Sequence, residues 1–332
     1  MSPLLEVSGL TVAVRRQHQV FRAVDGVSLD LPEGGSLGIV GESGSGKSLT
    51  LRAIMGLLPR AARVEAGTVR VAGEPVPARA GRRPADRRRH RLAMIFQDPL
   101  SALDPVMTVG AQVAEAPRRA GGLSARAARE RALALLRQTG IPDPARRYAS
   151  YPHQLSGGLR QRVMIAVALS AGPAALLCDE PTTALDVTIQ AQILALLQDL
   201  RDQQGLGLVF VTHDLGVVGQ VCDDIAVMYA GRIVETGPAD AVLDAPRHPY
   251  TAALLASAID VDSPGRMPQA IPGVVPDPLR LPAGCPFRPR CPFAQPDCAA
   301  GPVPLRDIAP GRRAACLHHD VLAAAGPGTG HG

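Results

Sequence analysis

An α/β fold, with a largely parallel sheet packed between helices, is predicted by three features of the sequence. "SLGIVGESGSGKSLTLRAIMGLL" (36–58) passes from an apolar strand through a glycine-rich turn into a helix with apolar spacing. "AALLCDEP" (174–181) and "LGLVFVTHD" (206–214) are continuous apolar runs that end in charged residues, as strands buried on both faces do. Between them "TIQAQILALLQDLRDQQG" (188–205) reads as an amphipathic helix with a glycine stop, so strand, helix and strand form a right-handed βαβ unit.

The remaining elements follow in chain order. Residues 4–40 alternate apolar and polar ("LLEVSGLTVAV", "AVDGVSLDL"), which predicts an N-terminal β region. Residues 67–77 predict a short strand pair. "RRPADRRRHR" (82–91) reads as a solvated basic connector, because no aromatics interleave with its arginines. "LAMIFQDP" (92–99) returns to strand, and the Ala-, Arg- and Leu-rich stretches 109–138 and 156–171 predict helices. Near residue 240 proline and glycine become frequent and periodicity fades. We place a boundary there, with an appendage beyond it and a disordered tail, "AAAGPGTGHG", at its end.

Composition narrows the function classes. Apolar residues make up 46% and aromatics 3%, with no tryptophan, so the core must rest on Leu, Val, Ile and Ala. No apolar run approaches the roughly 20 residues of a membrane span, and "MSPLLEVSGL" lacks the regions of a signal peptide, which places the chain in the cytoplasm. The formal charge of +5 permits an anionic partner, but the arginines are scattered, so nucleic acid is not expected. Cys178 and Cys222 read as plain core residues rather than disulfide partners.

Of the 35 lysine and arginine side chains only Lys47 is lysine. It stands in "GESGSGKS", the pattern G-x-x-x-x-G-K-[ST] between strand and helix that cradles phosphates. Glycines let backbone N–H groups turn inward around a phosphate chain, and the following helix adds its positive end. A compact ammonium fits that loop where a broad guanidinium does not. The candidate nucleotide contacts are Gly41, Glu42, Ser43, Gly44, Ser45, Gly46, Lys47, Ser48 and Leu49. Ser48 is also a candidate ligand of Mg²⁺. Asp179 at a strand end is the matching carboxylate, and Glu180 beside it can polarise the attacking water. His213, ending the next strand, is placed to meet the γ-phosphate. Gln97 is placed to ligate magnesium or orient water.

"LSGGLRQR" (155–162), with "GESGSGKS", "FQDP", "LLCDEPTTALD" and "THD" in that order, resembles the ATP-binding subunits of ABC transporters over residues 1–240. The resemblance implies a P-loop NTPase core of ABC type with an N-terminal antiparallel β subdomain, a helical signature subdomain at about 100–170, and a Cys-rich appendage at 241–332. It implies that Ser156, Gly157 and Gly158, with Arg160 and Gln161, meet ATP held by the opposite subunit, and that Asp186 lies at the dimer seam. Leu159 stands where many such proteins carry glutamine. An aromatic stacking on adenine is also implied; Phe21 is the candidate and His18 its rival.

"YPHQLSGGLRQRVMIAVALS", "MYAGRIVETG", "HPYTAALL" and "IPGVVPDPLRLPAGCPFRPRCPFAQPDC" are similar to the D-type subunits of oligopeptide and dipeptide importers. That likeness implies a second, related ATPase partner, two membrane permeases, an external binding protein, and a place on the cytoplasmic face of the bacterial inner membrane. Similar machinery imports nickel or glutathione. The spacing of Cys285, Cys291, Cys298 and Cys316 is neither a usual zinc pattern nor plain ferredoxin. The likeness implies a [4Fe–4S] cluster there, with zinc as the alternative and His318 and His319 close enough to join an ion. A soluble non-transport ABC ATPase, or a redox sensor built on that cluster, are the rival readings.

Overall fold

The computed structural model describes residues 3–76, 91–183, 185–257 and 270–322. The basic connector lies outside these residues except for Arg91, as does the tail at 323–332.

The alternating N-terminal segment forms β1 (Leu5–Arg16) and β2 (Gln19–Leu31). Next come β3 (Ser36–Val40), helix α1 (Lys47–Met55), β4 (Ala62–Val71), β5 (Glu74–Val76) and β6 (Leu92–Ile95). Helices α2 (Pro99–Ala102), α3 (Val109–Arg119), α4 (Ala125–Gln138), α5 (Pro144–Tyr148) and α6 (Gly157–Ser170) make a helical layer. The predicted βαβ unit is β7 (Ala175–Asp179), α7 (Val187–Gln204) and β8 (Gly207–Thr212). Then follow α8 (Leu215–Val221), β9 (Asp224–Tyr229), β10 (Arg232–Pro238), α9 (Ala239–Asp244) and α10 (Pro249–Ser257), and finally β11 (Arg306–Ala309) and β12 (Arg312–Ala314).

Two sheets result. One is antiparallel, in the order β2-β1-β4-β5; the other runs β11-β12-β10-β9-β3-β8-β7-β6. Strands β9, β3, β8, β7 and β6 pair in parallel. Their continuous apolar character has a direct cause. Successive side chains point to opposite faces, and both faces are covered: Ala175, Leu177, Val209 and Val211 pack toward the antiparallel sheet and α1, while Leu176, Cys178, Leu208 and Phe210 pack toward the helical layer. Cys178 and Cys222 are buried in the second of these clusters, and all six cysteines are free thiols. Helix α7 stops where expected, at Gly205 with φ 63°. None of the described helices is long and apolar enough to cross a membrane.

The segment beyond residue 240 is joined to the large sheet. β12 pairs with the outer edge of β10, setting Ala314 opposite Glu235, and β11 pairs with β12. Arg312 donates to the fully buried Glu235 at 2.9 Å. Glu235 also accepts the backbone N–H groups of Arg247 and His248. The carboxylate thus accepts from a guanidinium and two backbone N–H groups, the kind of compensation that lets a charge be buried, although Arg312 Nε is left without a partner.

Candidate functional site

Parallel strands deliver their C-terminal ends to one edge of the sheet, and the site lies there. The chain leaves β3 at Val40, turns through residues 41–46 and enters α1 at Lys47. The turn closes tightly: at Gly46, with φ 105°, an added Cβ would stand 2.6 Å from Ala23 O and 2.8 Å from Met228 Cε. Only glycine fits.

Lys47 is 5% exposed, and its Nζ donates to Gly41 O (2.6 Å) and Glu42 O (3.0 Å), so the loop folds around its own cation. Burial pushes the ammonium below its ordinary value, while Glu180, Asp179 and Glu42 pull it back. Ser48 Oγ donates to Asp179 Oδ1 at 2.6 Å. Burial raises the Asp179 carboxyl, and the Ser48 hydrogen bond works against that. Ser45 Oγ is buried with no hydrogen-bond partner.

Glu180 closes the other side. Its Oε2 accepts from Gln97 Nε2 (3.0 Å) and Thr183 Oγ1 (2.8 Å), and its Oε1 lies 3.5 Å from His213 Nδ1. Its φ is +47°, a left-handed conformation that an ordinary side chain adopts only where its surroundings hold it, at a cost of about 1–3 kcal/mol. Gln97 and His213, from beyond the ends of the two flanking strands β6 and β8, therefore meet the carboxylate that follows β7.

A cleft of ≈ 1050 Å³ opens over this loop. Phe21, Ser43, Gly44, Gly46, Lys47, Ser48, Leu49, Gln97, Glu180 and His213 line it; His18, at the β1–β2 turn, does not. Arg16 and the 275–278 segment with Leu281 also line it, and nothing in their local sequence marked them. Gly41, Glu42 and Ser45 shape the loop from behind. The Glu42 carboxylate is held by Arg290 at 2.7 and 3.0 Å, and its N–H donates to Tyr250 Oη at 2.7 Å.

Ser156 caps α6 from outside the cleft, and Ser156 and Gly157 are exposed. Gly158 lets α6 approach α7 closely, since a Cβ there would meet Ile189 Cγ2 at 2.8 Å. Arg160 Nε donates to Pro152 O and Leu155 O and so braces the segment internally, while Gln161 is buried with its Nε2 unpartnered; neither lines the cleft. Asp186 is exposed and caps α7 through Ile189 N–H at 2.9 Å.

Cys285, Cys291, Cys298 and Cys316 line one pocket with His248 and His318. Burial pushes the thiols of Cys291 and Cys316 up to about 11. Among the described residues the trio of metal-capable side chains with ligand atoms within 4.8 Å is Asp297, Cys298 and His318. Sulfurs sharing one zinc stand ~3.8 Å apart by their ~2.3 Å bonds, so the four thiols are spread wider than one zinc ion requires. His319 turns to Asp320 at 3.1 Å.

A phosphate loop on a parallel strand edge, a strand-end acid pair and a helix that opens on Ser-Gly-Gly outside the cleft define a nucleotide-binding cassette. The "ABC transporter" family model matches residues 24–183, and the "Oligopeptide/dipeptide transporter, C-terminal region" model matches residues 234–298. A peptide import ATP-binding protein of Brucella abortus (strain 2308) is 48% identical over 316 residues, covering 95% of each chain. The dipeptide transport ATP-binding protein DppD of Escherichia coli (strain K12) is 46% identical over 318 residues, 94% of this chain and 96% of its own. Among solved structures, cbiO1 of Clostridium perfringens, part of the ABC transporter complex cbiONQ, superposes with a TM-score of 0.63 at 27% identity, covering 74% of this chain and 92% of its own. The ATP-binding cassette MJ0796, a dimer in a post-hydrolysis state bound to ADP and Pi, gives 0.61 at 29% identity, covering 71% and 98%. This chain belongs to the ATP-binding proteins of ABC transporters, in the branch that carries the oligopeptide/dipeptide C-terminal region.

Proposed function

We propose that this chain is the ATP-hydrolysing subunit of an importer of di- or oligopeptides. One observation carries the chemistry: Lys47, Ser48, Glu180, Gln97 and His213 converge on one cleft, whereas the Ser156–Gly158 loop faces outward and away from it. A second cassette is therefore needed to complete each site, its phosphate loop facing the other's helix cap, with Asp186 at the seam. The relatives' naming as peptide import proteins supports the substrate class and, with it, a related ATPase partner, two permeases and an external binding protein, at the cytoplasmic face of the membrane.

The loop amides and Lys47 bind the phosphates and orient the γ-phosphoryl group. Phe21 offers its ring to the adenine. Glu180, positioned by Gln97 and Thr183, accepts the proton of the attacking water, and His213 donates to the γ-phosphate oxygens. Ser48, Asp179 and Gln97 would hold Mg²⁺, which supplies charge neutralisation at the phosphate oxygens. Residues 241–332 form the extension of this reading. Its four thiols fit a [4Fe–4S] cluster better than one zinc ion because they share a pocket without the crowding zinc demands.

Reconstitution of the chain with the permeases encoded beside its gene tests this. Peptide and binding protein together must stimulate ATP hydrolysis; stimulation by nickel or glutathione instead would replace the substrate, and an ATPase indifferent to permeases would replace the function.

A further inference from the structure

The nucleotide loop is gripped from outside by residues that lie more than two hundred positions later in the chain. Arg290 sits beside Cys291 and is almost wholly buried, its side chain 3% exposed. All five of its N–H donors are committed. Nη1 reaches Glu42 Oε2 (2.7 Å) and Tyr229 Oη (3.4 Å); Nη2 reaches Glu42 Oε1 (3.0 Å) and Ile271 O (3.3 Å); Nε reaches Pro272 O (2.9 Å). The Tyr229 and Phe287 rings lie under the guanidinium at 5.9 and 5.8 Å.

One planar fork thus joins three things. They are the second residue of the phosphate loop, the carbonyls that launch the segment walling the nucleotide cleft at Val275–Leu281, and the cysteine-bearing turn. Glu42 does not line the cleft, so its charge serves this junction rather than the nucleotide directly. Its backbone N–H is fixed as well, on Tyr250 Oη. A lysine has neither the fork nor the donor count for the same work.

We propose that Arg290 is a positioning residue for the nucleotide: through Glu42 and residues 271–272 it sets the phosphate loop and the cleft wall against each other, so that the appendage governs how tightly the triphosphate is held. This rests on the reading of the cleft as an ATP site.

The test uses the full-length chain and the variants Arg290→Gln, Arg290→Lys, Glu42→Gln and Arg290→Gln/Glu42→Gln. Equilibrium binding of a fluorescent ATP analogue with Mg²⁺, steady-state kinetics and thermal melting are measured together. Glu42→Gln and Arg290→Gln should each weaken binding about ten-fold, a coupling of ordinary size, with Arg290→Lys between them and wild type. The loss should fall on Kd and KM more than on kcat, and the double variant should be no weaker than the weaker single. Should Arg290→Gln fail to fold, Glu42→Gln and Arg290→Lys decide. Kd within two-fold of wild type in folded Glu42→Gln overturns the proposal, as does a fall in kcat with KM unchanged. If the wild-type chain binds no nucleotide, the ATP reading itself is what fails, and the proposal goes with it.

Discussion

Replacing Glu180 by glutamine isolates one chemical property from all others at the site. Both donors that hold the carboxylate, Gln97 Nε2 and Thr183 Oγ1, address the same oxygen, Oε2. The glutamine carbonyl can occupy that place and accept both. Its amide then takes the Oε1 position, 3.5 Å from His213 Nδ1, and can donate to that nitrogen after a slight approach. Shape and hydrogen-bond count survive, so folding stability should change by about 1 kcal/mol or less. The proton acceptor does not survive. Loss of a positioned general base costs 10²- to 10⁴-fold, or about 2.7–5.5 kcal/mol of barrier. ATP affinity should be retained and phosphate release, followed by a coupled assay or by radiolabelled phosphate, should drop by at least a hundred-fold. Turnover by Glu180→Gln within ten-fold of wild type would refute Glu180 as the base.

Four further outcomes are expected. Lys47→Arg should weaken Mg–ATP binding about ten- to a hundred-fold despite the retained charge, measured by titration calorimetry, because the buried Nζ is enclosed by two carbonyls and a guanidinium is too broad for the loop. Ser156→Ala should leave ATP binding to the isolated chain unchanged while abolishing hydrolysis by the paired cassettes, as the proposed contact with the other subunit's nucleotide requires. Anaerobic purification should yield iron and acid-labile sulfide in equal amounts, and Cys291→Ser should lower both; zinc in equimolar amount would replace the cluster reading. His248 is held at about 3 by burial, and its Nδ1 accepts the Tyr250 N–H, so the unfolded chain takes up the proton first on acidification. Its contribution is present above pH ~6.5 and is lost as pH falls toward 3, about 2 kcal/mol of it between pH 6.5 and 5. His248→Asn keeps a cap for α10 and should flatten that slope in urea titrations; an unchanged slope refutes the assignment.

Much of the fold was legible because its signals are local. The buried strands announced themselves by apolar continuity, the loop by its glycines, and the solitary Lys47 by its contrast with a chain that otherwise uses arginine. The positions of Gln97, Glu180 and His213 at strand ends also followed from the pattern. What escaped was non-local or conformational. The left-handed backbone at Glu180 has no mark in "CDEP", and a tyrosine in "HPYTAALL" gives no hint of a partner at Glu42, 208 residues away. Arg290 reads as one more arginine in a proline-rich stretch until the fold brings it to Glu42, 248 residues distant. The edge pairing of β12 was likewise invisible, because "RRA" is too short to carry a period.

The burial of Glu235 has a practical bearing on where this chain can be cut. A fragment ending near residue 245 would strip away Arg312 and the backbone N–H groups of Arg247 and His248, the donors that hold the Glu235 carboxylate. The same cut would bare the outer rim of β10, inviting strand addition between molecules. A minimal catalytic fragment of this protein must therefore retain the terminal hairpin.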